Sequence, residues 1–314
     1  MTLLLIFLLL GILLFWGIPY ICFRMAFYAP KPKSGDRPDV PLPDNEIYAP
    51  YKEQMDTWAN DVRRMPHRHF TITSFDGLTL HGNYYEYAPG APIELMFHGY
   101  RGSAIRDLSG GVARCFALKR NCLIVDQRCA GLSDGEVITF GVKEHRDCLC
   151  WVDFLVKEFG PDVKIILTGI SMGAATVLMA AGKPLPDNVM GVLADCGYTS
   201  AEAIIKSVMR QLHIPPCILY PFMKRAARIY GHFDLEECPP IEAVKNCKLP
   251  VIFFHGEDDN FVPCYMSREN YEACPTRKAL YTVPGAGHGL SFPANQDLYI
   301  QQLGDFFGPE GSAQ

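Results

Sequence analysis

The stretch "KIILTGISMGAATVLMAAG", residues 164–182, joins a strand-like run to a helix-like run through Gly169-Ile170-Ser171-Met172-Gly173. A chain that turns at once from strand to helix holds its turning residue in a strained conformation, and glycines on either side leave room for close approach of the chain to itself. Three interpretations of Ser171 are therefore open. It is a nucleophile, a small residue in a plain turn, or part of a phosphate-binding loop.

The phosphate-binding interpretation fails because neither of the glycine patterns typical of such loops, GxxxxGK[ST] and GxGxxG, occurs in this stretch. A serine nucleophile needs a base, and the base needs a carboxylate to orient it. "GAGHGLSF" (285–292) places His288 in a glycine-flanked loop, and "HGEDDNFVP" (255–263) supplies acids at a strand end. The order Ser, acid, His is the one expected around such a turn, with Asp258 and Asp259 both open as the acid.

Strand-like runs alternate with helical runs along most of the chain. They fall at 92–98, 121–128, 164–171, 188–197, 248–256 and 278–285, after a hairpin at 69–88. This alternation predicts an α/β fold with a mostly parallel central sheet flanked by helices, and sites form at the carboxyl ends of such strands. Residues about 199–240 interrupt the alternation with helical, proline-broken sequence, which predicts a small helical cap over that edge.

The first residues, "MTLLLIFLLLGILLFWGIPYICFR", carry no charged side chain from Thr2 to Phe23. About 20 apolar residues suffice to span a bilayer, and the segment lacks the basic start and small-residue cleavage site of a signal peptide. The sequence therefore predicts a transmembrane anchor at 1–24, with residues 2–23 in the membrane. A proline-rich linker at 25–47 and the α/β domain at 48–314 are expected to follow.

Basic residues follow the apolar segment and none precedes it: Arg24, Lys31, Lys33 and Arg37. The positive-inside tendency then predicts a single-pass membrane protein whose catalytic domain is cytoplasmic. The twelve cysteines contain no Cys-x-x-Cys pair, which favours buried thiols and a reducing compartment. A net charge of −5 gives no indication of a nucleic-acid partner.

Six motifs occur in order between about residues 68 and 307: "HGYRGS", "DQRCAGLSDG", "GISMG", "ADCGYTS", "HGEDDNFVP" and "GAGH". Together they resemble the α/β-hydrolase superfamily, and most of all its membrane-anchored bacterial branch near the serine aminopeptidases and prolyl-oligopeptidase-like hydrolases. The resemblance implies that Asp259 is the triad acid and that the N–H groups of Tyr100 and Met172 form the oxyanion hole. It also implies a structural pair of Asp126 and Arg128, in a loop where Cys129 replaces a family glycine.

The sequence thus predicts a serine hydrolase that cleaves carboxylic esters through Ser171, His288 and Asp259, by way of an acyl-enzyme and without metal or cofactor. A small-molecule or lipid-like ester is the expected substrate. A peptidase or amidase of the serine aminopeptidase type is an alternative, because it would share the nucleophilic machinery. A non-catalytic, membrane-tethered binding protein on a hydrolase scaffold is the alternative from a different class.

Overall fold

A computed structural model of the 314-residue chain describes residues 2–31 and 40–308, except the side chains of Leu3, Leu4, Leu8 and Leu10. The described residues contain eight strands: β1 Arg68–Thr73, β2 Thr79–Tyr85, β3 Ile93–Phe97, β4 Asn121–Asp126, β5 Ile165–Ile170, β6 Val189–Asp195, β7 Val251–Gly256 and β8 Lys278–Val283. The described α-helices are α1 Thr2–Ile12, α2 Ile18–Ala26, α3 Lys52–Arg64, α4 Ala104–Ala117, α5 Glu144–Phe159, α6 Met172–Ala181, α7 Ala201–Gln211, α8 Pro216–Ile229, α9 Pro240–Val244, α10 Tyr265–Ala273, α11 Ser291–Ala294 and α12 Gln296–Phe307.

The strands form one sheet in the order β1-β2-β4-β3-β5-β6-β7-β8. The pairs β1–β2 and β2–β4 are antiparallel, and every other neighbouring pair is parallel. The predicted hairpin is present, with Gly77 at a φ of 89° in its turn. The prediction of a mostly parallel sheet is confirmed.

Alternate residues of the central strands are buried on opposite faces of the sheet, as the pleat requires. On one face Leu167 and Phe253 pack with Trp151 of α5. On the other, Ile166, Leu193 and Phe254 belong to a second cluster, which includes Trp58 of α3, Phe292 of α11 and Tyr299 of α12. Helices therefore cover both faces, and the carboxyl ends of the strands stay available for a site.

A buried ion-pair triad ties β3 to the last turn of α4 and to the loop after it. Glu94 accepts hydrogen bonds of 2.6 Å from Arg114 and from Arg120, and all three side chains are nearly inaccessible to solvent. Burial alone would raise the pKa of Glu94. The two guanidinium groups have the larger effect and lower this pKa to about 2. Glu94 is therefore a charged carboxylate inside the protein that depends on both partners.

The N-terminal segment differs from the prediction of one transmembrane helix. Its residues form α1, a π-helical turn at Leu13–Gly17, and α2. Among residues 2–31 and 40–308, no helix is both long enough and apolar enough to cross a bilayer. The hydropathy of a sequence reflects only how many of its residues are apolar. It shows neither that the helix is divided nor that Cys22, Phe23 and Phe27 are buried within the fold.

The insertion at about 199–240 contributes α7 and α8, and α8 packs both on α7 and on α2. The rings of Tyr20 and Phe23 contact that of Tyr230, which follows α8. The Tyr230 hydroxyl also donates to the carbonyl oxygen of Trp16, at 3.0 Å. The N-terminal helix and the insertion thus form one cover over the carboxyl ends of the strands. Part of the predicted linker, residues 32–39, lies outside the described residues.

Candidate active site

Ser171 lies at the turn from β5 to α6, with φ 57° and ψ −116°. This left-handed conformation is costly for a residue with a side chain and is kept only where the surroundings enforce it. A Cβ on Gly173 would lie 2.0 Å from the carbonyl oxygen of Phe97, and one on Gly169 would lie 2.1 Å from that of Gly173. The glycines two residues before and after Ser171 therefore permit backbone contacts that side chains would block.

His288 lies between Ser171 and Asp259. Its Nε2 is 2.9 Å from the Ser171 Oγ, and its Nδ1 is 2.7 Å from the Asp259 Oδ2. With the proton on Nδ1, the ring donates to the carboxylate and accepts from the serine hydroxyl. The structure thus brings together three side chains that are 117 and 29 residues apart in sequence.

The two adjacent aspartates occupy different environments. Asp258 is exposed, whereas Asp259 is only 6% exposed. The Oδ1 of Asp259 accepts from the N–H groups of Phe261 and Val262, both at 2.8 Å. Burial by itself would raise the pKa of Asp259, but hydrogen bonds from His255 and His288 hold it well below its ordinary value. Asp259 is therefore a fixed, ionised partner for the imidazole.

His255 is a second histidine on the same carboxylate. Its Nε2 lies 2.8 Å from the Val262 carbonyl oxygen and 3.2 Å from the Asp259 Oδ2. Its Nδ1 lies 2.7 Å from the Ser267 Oγ. The spacing of four residues between His255 and Asp259 was the available sequence signal. His255 and His288 therefore contact the same carboxylate oxygen, and both hold Asp259 in place.

Two further side chains support the site, and neither is predicted from the sequence. The Tyr48 hydroxyl donates to the carbonyl oxygen of His288 at 2.5 Å, across 240 residues of sequence. Asp107 accepts from the N–H of Gly99 at 2.9 Å and so anchors the loop after β3. No local motif marks either residue, because each contact exists only once the chain is folded.

The two residues predicted for the oxyanion hole flank Ser171. Met172 is the first residue of α6, where N–H groups lack intrahelical partners. Tyr100 follows Gly99, where an added Cβ would lie 3.5 Å from the Ser171 Cβ. The Tyr100 hydroxyl donates to the Ala26 carbonyl oxygen at 2.8 Å, so the N-terminal helix holds this loop.

The predicted pair of Asp126 and Arg128 is wrong. Arg128 binds Asp147 through two hydrogen bonds of 2.7 Å and also binds Asp76. Asp126 instead accepts from backbone N–H groups at residues 104 and 132. Cys129 has a φ of 68°, a conformation that favours glycine. It does not line either of the two cavities that meet at Ser171.

One group of potential metal ligands occurs among the described residues. The ligand atoms of Cys196, Asp259 and His288 lie within 4.8 Å of one another. Burial, followed by the nearby charges of Asp195 and Asp259, raises the pKa of the Cys196 thiol well above its ordinary value. A metal needs the thiolate, so this environment disfavours a site there. The geometry suits the hydrogen-bonded triad instead.

Two cavities meet at Ser171. The larger, of about 270 Å³, lies beneath α7 and α8, and its described lining contains no charged residue. The smaller, of about 160 Å³, contains Arg106, Asp107 and His288 in its lining. Tyr100, Ser171 and Phe261 line both. A reacting group at Ser171 therefore has separate space on each side.

Known proteins share this fold. The Pyrococcus furiosus esterase Pf2001 matches with a TM-score of 0.64 at 19% identity, over 85% of this chain and 96% of the esterase. The α/β hydrolase domain-containing protein aho-3 of Caenorhabditis elegans is 26% identical over 254 residues, which cover 80% of this chain and 61% of that protein. The uncharacterised protein YqkD of Bacillus subtilis is 28% identical over 187 residues, 59% of this chain and 61% of its own length. The matched regions thus span about three fifths of aho-3 and of YqkD, and the fold is that of the α/β hydrolases.

Residues 139–310, more than half of the chain, match the prolyl oligopeptidase family. The chain belongs to this family of α/β hydrolases, and the predicted resemblance to prolyl-oligopeptidase-like hydrolases is confirmed. The membrane-anchored bacterial branch stays a prediction.

Proposed function

We propose that this chain is a serine hydrolase that cleaves carboxylic esters through Ser171, His288 and Asp259. The observation that carries the proposal is the position of His288, within hydrogen-bond distance of both the Ser171 Oγ and the Asp259 Oδ2. Nucleophile, base and orienting acid in such a relay are the parts that acyl transfer needs. A scaffold kept only for binding would not require a strained serine with both partners in reach, which argues against the non-catalytic alternative.

The proposed reaction has two steps. In the first, the Ser171 Oγ bonds to the ester carbonyl carbon while the His288 Nε2 takes the hydroxyl proton. The carbon–oxygen bond to the alcohol then breaks, and His288 gives the proton to the departing oxygen. In the second, His288 takes a proton from water, and the water oxygen bonds to the acyl carbon. The bond from that carbon to the Ser171 Oγ then breaks, His288 gives its proton to the Oγ, and the acid leaves. Asp259 stays ionised throughout and stabilises the imidazolium.

We assign the oxyanion hole to the N–H groups of Tyr100 and Met172, which must point at the negative charge that develops on the carbonyl oxygen. Several contacts support this role by fixing the loop that carries Tyr100. Asp107 binds the N–H of Gly99, and the Arg101 guanidinium donates to the carbonyl oxygens of Met25 and Tyr28, each at 3.1 Å. A fixed donor needs no reorganisation during the reaction.

Membership of the prolyl oligopeptidase family favours a peptidase as the second candidate. An aminopeptidase would need a free carboxylate near Ser171 to bind the α-ammonium group of its substrate. Among the described residues that line the two cavities, Asp107 is the one carboxylate, and Arg106 and the Gly99 N–H already bind it. The lining therefore supports an ester substrate over an amino-terminal peptide.

A direct comparison of substrates tests this assignment. Purified protein is assayed with a set of 4-nitrophenyl esters and with aminoacyl 4-nitroanilides, which release related chromophores. We expect kcat/KM to be higher for the esters and to be lost for both sets in Ser171→Ala. Faster turnover of the anilides would reject the esterase assignment in favour of the peptidase.

We also propose that the exposed apolar side chains within residues 2–23 contact a lipid membrane, without a transmembrane helix. The segment exposes large apolar side chains, including Phe7 at 65%, Leu9 at 56% and Ile12 at 50%. Monomeric soluble proteins rarely expose continuous patches of this kind. Exposed Trp16 and Tyr20 near the start of α2, followed by Arg24, have the composition typical of a membrane–water boundary.

Sedimentation with phospholipid vesicles tests this contact. We expect the wild-type chain to sediment and the double variant Phe7→Ser, Leu9→Ser to remain in solution. A matched control, Leu132→Ser with Tyr265→Ser, removes two exposed apolar side chains elsewhere and should sediment like wild type. Equal sedimentation of all three would reject the proposal, as would self-association without vesicle binding. The cytoplasmic position of the domain stays a prediction, and protease added outside intact cells should leave it uncut.

A further inference from the structure

The two cavities at Ser171 differ in what they can do for an ester. The alcohol oxygen that leaves must receive a proton from His288, so the leaving group must lie on the side of Ser171 where the imidazole is accessible. His288 and Gly289 line the smaller cavity, and neither lines the larger one. The smaller cavity is therefore the leaving-group side, and the acyl part extends into the larger cavity.

The larger cavity favours an apolar group. Its walls come from α7 and α8 with side chains such as Ile205, Val208 and Met223. Its two tyrosine hydroxyls are already bound: Tyr198 donates to the Phe140 carbonyl oxygen at 3.0 Å, and Tyr100 donates to that of Ala26. A polar substituent on the acyl group would lose its water, and both tyrosine O–H donors of the described lining are already used, so such a substituent is disfavoured there.

The N-terminal helix closes this cavity on one side. Cys22, Met25 and Ala26 of α2 are part of its lining, facing the cap helices across the space. The same turn of α2 accepts the hydrogen bonds from Tyr100 and Arg101. The acyl cavity is thus built jointly by the cap and by the junction of the predicted anchor, which supplies Cys22, with the predicted linker, which supplies Met25 and Ala26.

The volume of the cavity sets the length of chain that fits. An apolar cavity of about 150 Å³ holds benzene, with six carbons. A cavity of about 270 Å³ therefore has room for about ten carbons on the same scale. The smaller cavity, at about 160 Å³, accommodates a group of the size of a single aromatic ring.

We propose that the larger cavity is an acyl-chain subsite and that the substrates are esters of linear, medium-chain fatty acids of up to about ten carbons. This inference rests on the proposed esterase function and names its substrate class. Each methylene that leaves water on binding in the transition state raises kcat/KM by up to about fourfold. The preference for medium-chain esters over an acetyl ester is therefore large. Carbons added beyond the end of the cavity bring no further gain in kcat/KM.

The test is a series of 4-nitrophenyl esters from acetate to palmitate. For the wild-type chain we expect kcat/KM to rise up to about the decanoate and to fall for longer chains. Val208→Trp fills the cavity and should lower the ratio of decanoate to acetate kcat/KM by at least about tenfold. Arg210→Trp places the same side chain at an exposed position on the same helix and should leave the ratio within about twofold. Met223→Ala enlarges the cavity and should shift the optimum to longer esters.

The ratio is measured within each variant, so a partly unfolded sample does not change it. Hydrolysis that favours acetate, with a ratio equal in all four proteins, would overturn the acyl subsite and leave the esterase function standing. Failure of the wild-type chain to hydrolyse any ester, with Ser171 unreactive towards a fluorophosphonate, would overturn both.

Discussion

Replacing Asp259 by Asn keeps the shape of the side chain and removes its charge. The Oδ1 position can still accept from the N–H groups of Phe261 and Val262. The amide nitrogen then takes the place of Oδ2, 2.7 Å from the His288 Nδ1, and donates where the carboxylate accepted. His288 must therefore carry its proton on Nε2, which points at the Ser171 hydroxyl and cannot accept from it.

The magnitude follows from the loss of the base. In a triad, the wrong histidine tautomer lowers kcat by about 10⁴-fold, equal to about 5.4 kcal/mol of the activation barrier. The assay is the hydrolysis of 4-nitrophenyl butyrate under saturating substrate. KM should change little, because Asp259 does not line either cavity at Ser171.

Asp258→Asn is the matched control, since it makes the same chemical change at the adjacent, exposed carboxylate. We expect its kcat to stay within about threefold of wild type. A large loss in Asp258→Asn with near-normal activity in Asp259→Asn would refute the assignment of the acid and the geometry on which it rests.

Three further perturbations have defined outcomes. Because the pKa of Glu94 is lowered on folding, its ionised carboxylate stabilises the folded state by about 3 kcal/mol above about pH 4.5. This stabilisation is lost as the pH falls towards about 2. In urea denaturation Glu94→Gln should therefore be about 3–5 kcal/mol less stable than wild type at pH 7, because it leaves two buried arginines unpaired. This difference in unfolding free energy should become smaller in acid, and a difference that does not depend on pH would contradict the reasoning. Tyr48→Phe removes the hydroxyl that holds the His288 carbonyl and should lower kcat by about three- to tenfold, with the melting temperature lowered by at most about 4 °C, whereas unchanged kcat would show that the contact is dispensable. Gly173→Ala puts a Cβ 2.0 Å from a backbone oxygen and should cost at least about 1–3 kcal/mol in thermal or urea unfolding, and normal stability would contradict the close approach.

The sheet and the triad serine could be predicted from the sequence because their signals are local. Apolar runs between glycine- and proline-rich turns indicate the strands. The stretch around Ser171 predicts both β5 and α6 and the sharp turn that joins them. His288 follows from its glycine-flanked loop after the last strand. Asp259 was separated from Asp258 only by family resemblance, and burial is the physical difference between them.

Contacts between distant segments could not be predicted in this way. Arg128 has an acid two residues before it, but its side chain extends to Asp147 and Asp76 instead. Tyr48 lies in a stretch without any motif, and only the folded chain brings it to His288. The N-terminal segment is apolar enough to predict a membrane span, yet part of its apolar surface is used to close the cavity beneath the cap.

The central claim is that Ser171 is a nucleophile activated by His288. Reaction of the folded protein with a fluorophosphonate probe, followed by mass spectrometry of the labelled peptide, measures this directly. We predict one phosphonyl group on Ser171, with labelling slowed strongly in His288→Ala and absent in Ser171→Ala. Unlabelled Ser171 in folded protein, or labelling that is as fast in His288→Ala as in wild type, would contradict this claim.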